Sequence, residues 1–295
     1  MDSVLTQVFL PVALGIVMLG LGLDLTVADF KRVLVYPKAV LIALVCQVIL
    51  LPVVCLGLVL AFDLPPVLAV GMMLLAAAPG GTTANLFSHL FGGNVALNIT
   101  LTAVNSVLAV FTLPLVVNLA LDGFIGDGAI GLQFDKVVQV FAIVLIPVAL
   151  GMLIRSRAEA FAGRMHRPVR LLSIVVLVAV IAGALISERD NIADYLAAVG
   201  IVALTFNVIS LTVGYLAPRM ANVAKRESLA AAFEIGIHNG TLAIVIATTL
   251  LKNTEMAIPG AVYGVIMFFT AAGFGLLTRS RVVKAAQIAS DKTAA

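Results

Sequence analysis

The sequence predicts an all-α polytopic membrane protein of about nine transmembrane helices, because it is strongly apolar, poor in charge and built from repeated apolar runs. Of its 295 residues, 62% are hydrophobic and only 11% are charged, whereas a soluble domain carries about a quarter charged residues. No change in composition marks a boundary, so 1–295 is expected to be one membrane domain. The predicted partner is the lipid bilayer. Nucleic acid is not expected, because the basic residues form no stripe with aromatic residues between them.

Nine apolar runs are long enough to cross about 30 Å of hydrocarbon, for which a helix needs roughly 20 residues. They are 4–23, 38–61, 66–91, 95–121, 132–154, 168–187, 192–218, 226–252 and 257–279. The first run is expected to be retained, since Asp2 stands where a signal peptide has basic residues. Lys and Arg are concentrated in the odd-numbered gaps and in the tail 280–295. This pattern predicts a multi-pass inner-membrane protein with its N-terminus outside and its C-terminal tail in the cytoplasm.

Two of the runs are interrupted at mid-membrane depth. The run 66–91 contains Pro79, Gly80 and Gly81, and the run 226–252 contains Gly236 and Gly240. Proline removes a backbone donor and glycine loosens the chain, so a continuous helix is not expected at either place. Runs five to nine form a unit broken in its fourth helix, and runs one to four repeat that unit without its first helix. An inverted 4+5 repeat with two matched broken helices is typical of a transporter site near the midplane.

Glu234 is the only acidic residue deep inside a predicted span, where a charge is unfavourable by about 2.5–3.5 kcal/mol. No Lys or Arg lies at that depth, so the compensating charge is a proton or a bound cation. Hard cations prefer oxygen ligands, and Asn98, Thr102 and Asn105 form a polar stripe at i, i+4 and i+7 on the fourth run. Gln47 is another isolated polar group. Hydrogen bonding between helices is the alternative explanation of the stripe.

Other functional classes fit the sequence less well. An intramembrane hydrolase needs a paired aspartate, a serine dyad or a zinc cluster, and His89 and His166 at the helix ends lack such partners. A channel would show a repeated filter or a ring of charges. Cys46 and Cys55 have no partner at metal-ligand spacing and are interpreted as packing residues. We therefore expect a transporter and not an enzyme.

Three motifs in this order resemble the bile acid:sodium symporter family, across about 40–280 of the chain. They are Pro79-Gly80-Gly81-Thr82-x-x-Asn85, Gly93-Asn94-Val95-Ala96-Leu97 and Glu234-x-Gly236-x-x-Asn239. The resemblance implies a bacterial member with a panel domain, 1–34 and 132–190, and a core domain, 36–121 and 192–279, in which the broken helices cross. It also implies sodium-coupled symport of a small organic anion by alternating access, in a protein that functions as a monomer.

The resemblance further implies two sites for Na⁺ as the coupling ion, and no organic cofactor. The first would use Ala84, Asn85, Asn98, Thr102 and Glu234, and the second Gln47, Glu234, Ile235, Ile237 and His238. Ala84 and Asn98 stand where bacterial relatives often have serine, and His238 stands where the family typically has glutamine. Imidazole is a poor ligand for an alkali cation. His238 is thus open to three interpretations: a hydrogen-bonded core residue, a weakened second sodium site, or the coupling group of a proton-driven organic anion transporter.

The substrate is expected at the same crossing, where the second half of each broken helix begins. The residues implied are Thr82, Thr83, Asn239, Gly240 and Phe268. Positive dipole ends of half-helices favour an anionic group, while Phe268 with its neighbour Met267 makes one wall apolar. The substrate stays open among bile acid-like steroid conjugates, keto acids and pantoate-like hydroxy acids.

Overall fold

The computed structural model describes residues 10–126, 134–165 and 192–293, together with five residues between 168 and 175. Within these residues the fold is helical, with one isolated β-bridge. The helices are α1 (Leu10–Asp24), α2 (Val27–Lys31), α3 (Pro37–Ala61), α4 (Pro66–Ala77), α5 (Thr82–Phe91), α6 (Val95–Phe124), α7 (Phe134–Arg157), α8 (Ile192–Met220), α9 (Lys225–Gly236), α10 (Gly240–Leu250) and α11 (Ile258–Thr293). The predicted helix over 168–187 lies largely outside the described residues.

Four helices in the described part of the chain are long and apolar enough to cross a membrane. These spans are Pro37–Ala61, Val95–Phe124, Ala197–Met220 and Glu255–Thr278. Their outward side chains are apolar, as with Phe111 and Phe269, which are 72% and 76% exposed, and this suits contact with lipid. The protein is therefore an all-α membrane protein. The count of nine helices and the inverted repeat stay predictions.

Both interruptions that the sequence predicts are present. The run 66–91 divides into α4 and α5 at 78–81, and the run 226–252 divides into α9 and α10 at 237–239. Ala78 is extended, with ψ of 143°, as expected for a residue that precedes proline. Other boundaries differ from the apolar runs: α11 continues to Thr293, and the short helix α2 occupies part of the first gap.

The two breaks pair with each other. The Gly81 N–H donates to the Ile237 carbonyl at 2.8 Å, and the Asn239 N–H donates to the Pro79 carbonyl at 2.8 Å. The result is an antiparallel bridge centred on Gly80 and His238. Unpaired backbone groups are strongly unfavourable inside a membrane, so each break satisfies the groups that the other leaves open. We call this pairing the crossover.

The broken helices form the centre of the described bundle. Buried residues follow one another without a gap over 68–76 in α4 and over 228–236 in α9, whereas α3, α6, α8 and α11 each expose apolar side chains on one side. Outside this bundle, α1 packs closely against α7, with Gly22 against the backbone of Val148. The crossover therefore lies among buried elements, away from the lipid-facing surface.

Glycines allow the closest approach between α8 and α9, and this predicts a difference between two glycines of α8. A Cβ on Gly214 would lie 2.8 Å from the Cα of Ala232, whereas a Cβ on Gly200 would meet no atom within 4 Å. We expect Gly214→Ala to destabilise the protein by about 1–3 kcal/mol, because backbone must move. Gly200→Ala is expected to be neutral or to stabilise by up to about 1 kcal/mol.

The measurement is the midpoint of thermal unfolding of both purified variants in detergent. Gly200→Ala is the matched control, since the same substitution is made in the same helix. Equal midpoints for the two variants would contradict the close packing of α8 on α9.

Candidate functional site

Glu234 lies in the last turn of α9, immediately before the crossover, and is 2% exposed. The Thr102 hydroxyl of α6 donates to Glu234 Oε2 at 2.5 Å. Glu234 Oε1 faces the backbone of Gly80 and has no hydrogen-bond partner of normal geometry. A Cβ on Gly80 would overlap this carboxylate. The Gly-Gly pair in the first break therefore does more than interrupt a helix: it leaves space for the carboxyl group of the second.

Two amide side chains add oxygen atoms on neighbouring elements. Asn98 Nδ2 on α6 donates to the Ala230 carbonyl at 2.7 Å, which leaves Asn98 Oδ1 without a partner. Asn85 Oδ1 on α5 is also buried and without a partner. Ala84 is fully buried, and its N–H donates to the Gly81 carbonyl at 2.9 Å. The structure thus fixes Thr102 against Glu234 and Asn98 against the same helix α9, one turn away.

Gln47 and His238 meet at the Ala78 carbonyl of the first break. Gln47 lies in a π-helical turn of α3, Cys46–Leu50, a deviation that is frequent at functional sites. Its Nε2 lies 3.1 Å from the Ala78 carbonyl and 3.3 Å from His238 Nδ1. His238 Nδ1 is in turn 3.2 Å from the same carbonyl. Gln47 Oε1 and His238 Nε2 are buried without partners.

The His238 ring is held between aromatic side chains. It stacks on Phe206 with centroids 5.5 Å apart and an interplanar angle of 28°. Tyr263 meets it edge-on, at 5.4 Å and 74°. The imidazole is therefore fixed by one nitrogen on Ala78 and by two rings, which leaves little freedom to turn Nδ1 toward another ligand.

Two of the backbone carbonyls that follow Glu234 already accept hydrogen bonds from protein groups. Ile235 and Ile237 are fully buried, and the Ile237 carbonyl accepts the Gly81 N–H. The Gly236 carbonyl accepts from Asn207 Nδ2 at 2.7 Å and from the Tyr263 hydroxyl at 2.9 Å. Sequence reasoning missed this support, although the lone Asn207 within an apolar run was the available signal.

The expected substrate residues are placed in two groups. Thr82 begins α5, but its side chain lies outside the described part; Thr83 beside it is half-buried. Asn239 Oδ1 accepts the Leu242 N–H at 3.0 Å and so caps α10, and the Gly240 N–H donates to the His238 carbonyl at 3.0 Å.

Phe268 on α11 makes up the second group and lies in an aromatic cluster. Its ring centroid lies 6.3 Å from that of Phe87 on α5, and Phe87 also packs on Phe91 and Phe233. The structure thus brings Asn239 and Gly240 to the crossover and places Phe268 in an aromatic cluster beside α5.

Unpartnered polar atoms are concentrated on these residues. In the described part of the chain, eight buried side-chain nitrogen or oxygen atoms lack a hydrogen-bond partner, and five belong to residues that the sequence assigns to sodium sites. Those five are Gln47 Oε1, Asn85 Oδ1, Asn98 Oδ1, Glu234 Oε1 and His238 Nε2. The others belong to Ser88, Asn105 and Glu227. Buried polar atoms without partners are unfavourable unless a ligand or water satisfies them.

The sequence profile of the Sodium Bile acid symporter family matches residues 11–195, which is more than half of the chain. The chain belongs to this family. The family expected from the three motifs is thus confirmed, and the protein is a member of a family of sodium symporters with membrane helices. The profile match ends before α9, so similarity around Glu234 rests on individual relatives.

Individual relatives align with most of the chain. It is 28% identical over 257 residues to the uncharacterized sodium-dependent transporter YocS of Bacillus subtilis, covering 87% of this chain and 78% of that protein. It is 25% identical over 256 residues to the human ileal sodium/bile acid cotransporter, covering 86% and 73%.

A plant relative is covered less completely. The chain is 26% identical over 276 residues to the probable chloroplastic sodium/metabolite cotransporter BASS2 of rice, covering 92% of this chain but 64% of that protein. All three names describe transport that depends on sodium. The Bacillus name gives no transported compound, the rice name gives a metabolite and the human name a bile acid, so the names share sodium dependence and no one substrate.

Proposed function

We propose that the protein is a sodium-coupled symporter of a small organic anion, working by alternating access in a bacterial inner membrane. The observation that carries the proposal is that side-chain oxygens of Asn85, Asn98 and Glu234 are buried without partners, while the other oxygen of Glu234 accepts the Thr102 hydroxyl. Sodium, as a hard cation, prefers such oxygen ligands. A cation beside Glu234 would also compensate a carboxylate that is buried in the membrane without a basic partner.

The first sodium site fits the residues present. Asn85, Asn98, Thr102 and Glu234 supply side-chain oxygens, and Ala84 contributes a backbone carbonyl in the place where a hydroxyl would otherwise serve. One negative charge with several neutral oxygens suits a monovalent cation, because further carboxylates would favour Ca²⁺ or another divalent ion.

The second sodium site fits less well. Gln47 Oε1 is available, but the Ile237 carbonyl already accepts a hydrogen bond, and the imidazole of His238 is bound to Ala78 through Nδ1. We propose that His238 weakens this site. With a monoanion, two sodium ions move one net charge, worth about 2.3 kcal/mol per 100 mV of membrane potential, whereas one ion moves none.

The substrate is proposed to bind where α5 and α10 begin, near Thr82, Thr83, Asn239 and Gly240. Two helix N-termini start at the crossover, and their partial positive charge favours an anion such as a carboxylate. Phe268 and the aromatic cluster supply apolar surface for the rest of the molecule. Keto acids, hydroxy acids and steroid conjugates all combine these two properties.

The nine-helix inverted repeat, the division into panel and core, the outside N-terminus and monomeric function belong to the same proposal. The close packing of α1 on α7 through Gly22 and Gly151 supports a panel built from 1–34 and 132–190. The pairing of the two breaks at the crossover supports a core domain that contains both broken helices.

Thermal stabilisation of the purified protein by sodium, with potassium as the control, tests the cation site, and sodium-driven uptake of labelled organic anions into proteoliposomes tests symport. We expect the melting temperature to rise with sodium and not with potassium. Equal effects of both cations, together with uptake driven by a proton gradient, would contradict sodium coupling and would favour the proton-coupled alternative.

Replacing His238 by glutamine is expected to strengthen the sodium response. An amide oxygen would join Gln47 Oε1 at the second site, so the sodium midpoint of the thermal shift should fall by several-fold, about 1 kcal/mol in binding. The dependence of uptake on sodium should also become steeper. The variant Phe206→Leu, which changes the ring that stacks on His238 but adds no oxygen, is the control. An unchanged midpoint in His238→Gln would show that the histidine does not limit sodium binding.

A further inference from the structure

Two of the unpartnered oxygens that the proposed sodium sites do not use lie toward the end of the bundle at which α6 and α9 begin. Ser88 Oγ lies near the end of α5, and Glu227 Oε2 lies in the first turn of α9. Ser88 is fully buried. The Gly93 N–H, just before α6, donates to the Ser88 carbonyl at 2.7 Å, so these elements meet at the same end.

Three side-chain contacts join α6 to α9 between this end and the crossover. Asn94 Nδ2 donates to Glu227 Oε1 at 3.0 Å, Asn98 Nδ2 to the Ala230 carbonyl at 2.7 Å, and Thr102 to Glu234 Oε2 at 2.5 Å. On α6 the donors are four residues apart, so successive contacts lie about 6 Å apart along the helix. We call these contacts the α6–α9 ladder.

Each rung of the ladder leaves one buried oxygen without a partner. These atoms are Glu227 Oε2, Asn98 Oδ1 and Glu234 Oε1. α5 provides a third side, because Asn85 and Ser88 lie three residues apart on one face of this helix, and Asn85 Oδ1 and Ser88 Oγ are both buried without partners. Gly93 allows the three elements to approach, since a Cβ there would lie 3.3 Å from both Ser88 Cβ and the Ala230 nitrogen.

We propose that the α6–α9 ladder is the path along which the cation moves between Glu234 and the membrane face at which α6 and α9 begin, with Glu227 as its outermost ligand. The inference rests on the proposed function. The proposal is carried by the regular spacing of oxygens without hydrogen-bond partners between the carboxylates of Glu227 and Glu234. These oxygens would offer a dehydrated cation successive ligands along the path. Two basic residues precede Glu227: Lys225 Nζ donates to the Thr278 carbonyl of α11 at 3.4 Å, and the Arg226 carbonyl accepts the Asn94 N–H at 2.9 Å.

A structural role alone explains only part of this arrangement. An acidic residue in the first turn of α9 is favourable against the helix dipole, and Asn94 both caps α6 through Leu97 and binds Glu227 Oε1. Neither effect accounts for a second carboxylate oxygen that is buried and unpaired, or for the unpaired hydroxyl of Ser88.

The test compares exchange of radioactive sodium across proteoliposomes with equilibrium sodium binding by the same full-length variants. We expect Glu227→Gln to slow exchange by about tenfold while the sodium midpoint of thermal stabilisation stays within about twofold of wild type, because a charge that lines a path changes entry and exit together. Glu255→Gln, a carboxylate at the opposite end of the bundle, is the matched control and should exchange at the wild-type rate.

Ser88→Ala provides a second variant in case Glu227→Gln does not fold, and it should slow exchange in the same direction. Wild-type exchange rates in both Glu227→Gln and Ser88→Ala would overturn the proposal. So would an equal slowing in Glu255→Gln, which indicates a general surface-charge effect, or a loss of stabilisation by sodium in Glu227→Gln. If the wild-type protein neither binds nor exchanges sodium, the proposed function fails first, and the two failures are thereby distinguished.

Discussion

Glu234→Gln is expected to abolish stabilisation by sodium and to reduce sodium-driven uptake to background. The substitution keeps the shape of the side chain and an oxygen for the Thr102 hydroxyl, but it removes the negative charge that would compensate a bound cation. At a concentration one hundred times its dissociation constant, a ligand stabilises a protein by about 2.7 kcal/mol. That whole increment should be lost in the variant.

The sodium-free protein provides the decisive comparison. Because a buried, uncompensated carboxylate is itself unfavourable, Glu234→Gln should unfold at the same or a higher temperature than wild type when sodium is absent. Glu255→Gln controls for the loss of an acidic residue elsewhere. A variant that is less stable without sodium yet still responds to it would assign Glu234 a structural role and would place the cation elsewhere.

The sequence could predict the crossover in outline because its cause is local. Pro79 removes a donor from α4, and the extended Ala78 before it follows from proline sterics. The deep acidic residue could be found in the same way, since one carboxylate in an apolar run is visible without a structure. The remaining proposed ligand residues were implied by the resemblance of the surrounding motifs to the symporter family, and they stay a prediction.

The sequence could not predict which atoms of the two breaks pair. The bond from Gly81 to Ile237 and that from Asn239 to Pro79 join residues more than 150 positions apart, and no local pattern determines such a register. The same holds for the support of Gly236 by Asn207 and Tyr263: those side chains are ordinary in their own helices and become relevant only through packing.

Asn94 shows a further limit. Asn94 belongs to the motif Gly93-Asn94-Val95-Ala96-Leu97, but a sequence motif does not say what each of its residues does. The structure indicates two roles for Asn94, since it caps α6 and also donates a hydrogen bond to Glu227. A polar residue before an apolar run is adequately explained as a helix cap, so its second contact could be found only once α9 was placed beside α6.

Gly80→Ala is expected to abolish transport although it adds a single methyl group. The new Cβ would overlap the Glu234 carboxylate, so either the carboxylate must leave Thr102 or the bridge between Gly80 and His238 must open. Both changes alter the position of the oxygens that would bind sodium, and overpacking of a closely packed site is unfavourable by about 1–3 kcal/mol. Uptake should fall to background, and the sodium-dependent rise in melting temperature should disappear.

The control for this substitution is Gly57→Ala on α3, where a Cβ would meet no atom within 4 Å. That variant should transport normally and should be as stable as wild type or slightly more so, since alanine is favoured over glycine in a helix by about 1 kcal/mol. A Gly80→Ala protein that folds, binds sodium with the wild-type midpoint and transports at the wild-type rate would refute the close approach of the first break to Glu234. Combining Gly80→Ala with Glu234→Asp provides a positive test, because the shorter acid leaves space for the methyl group. Recovery of sodium binding in the double variant alone would show that the overlap causes the loss.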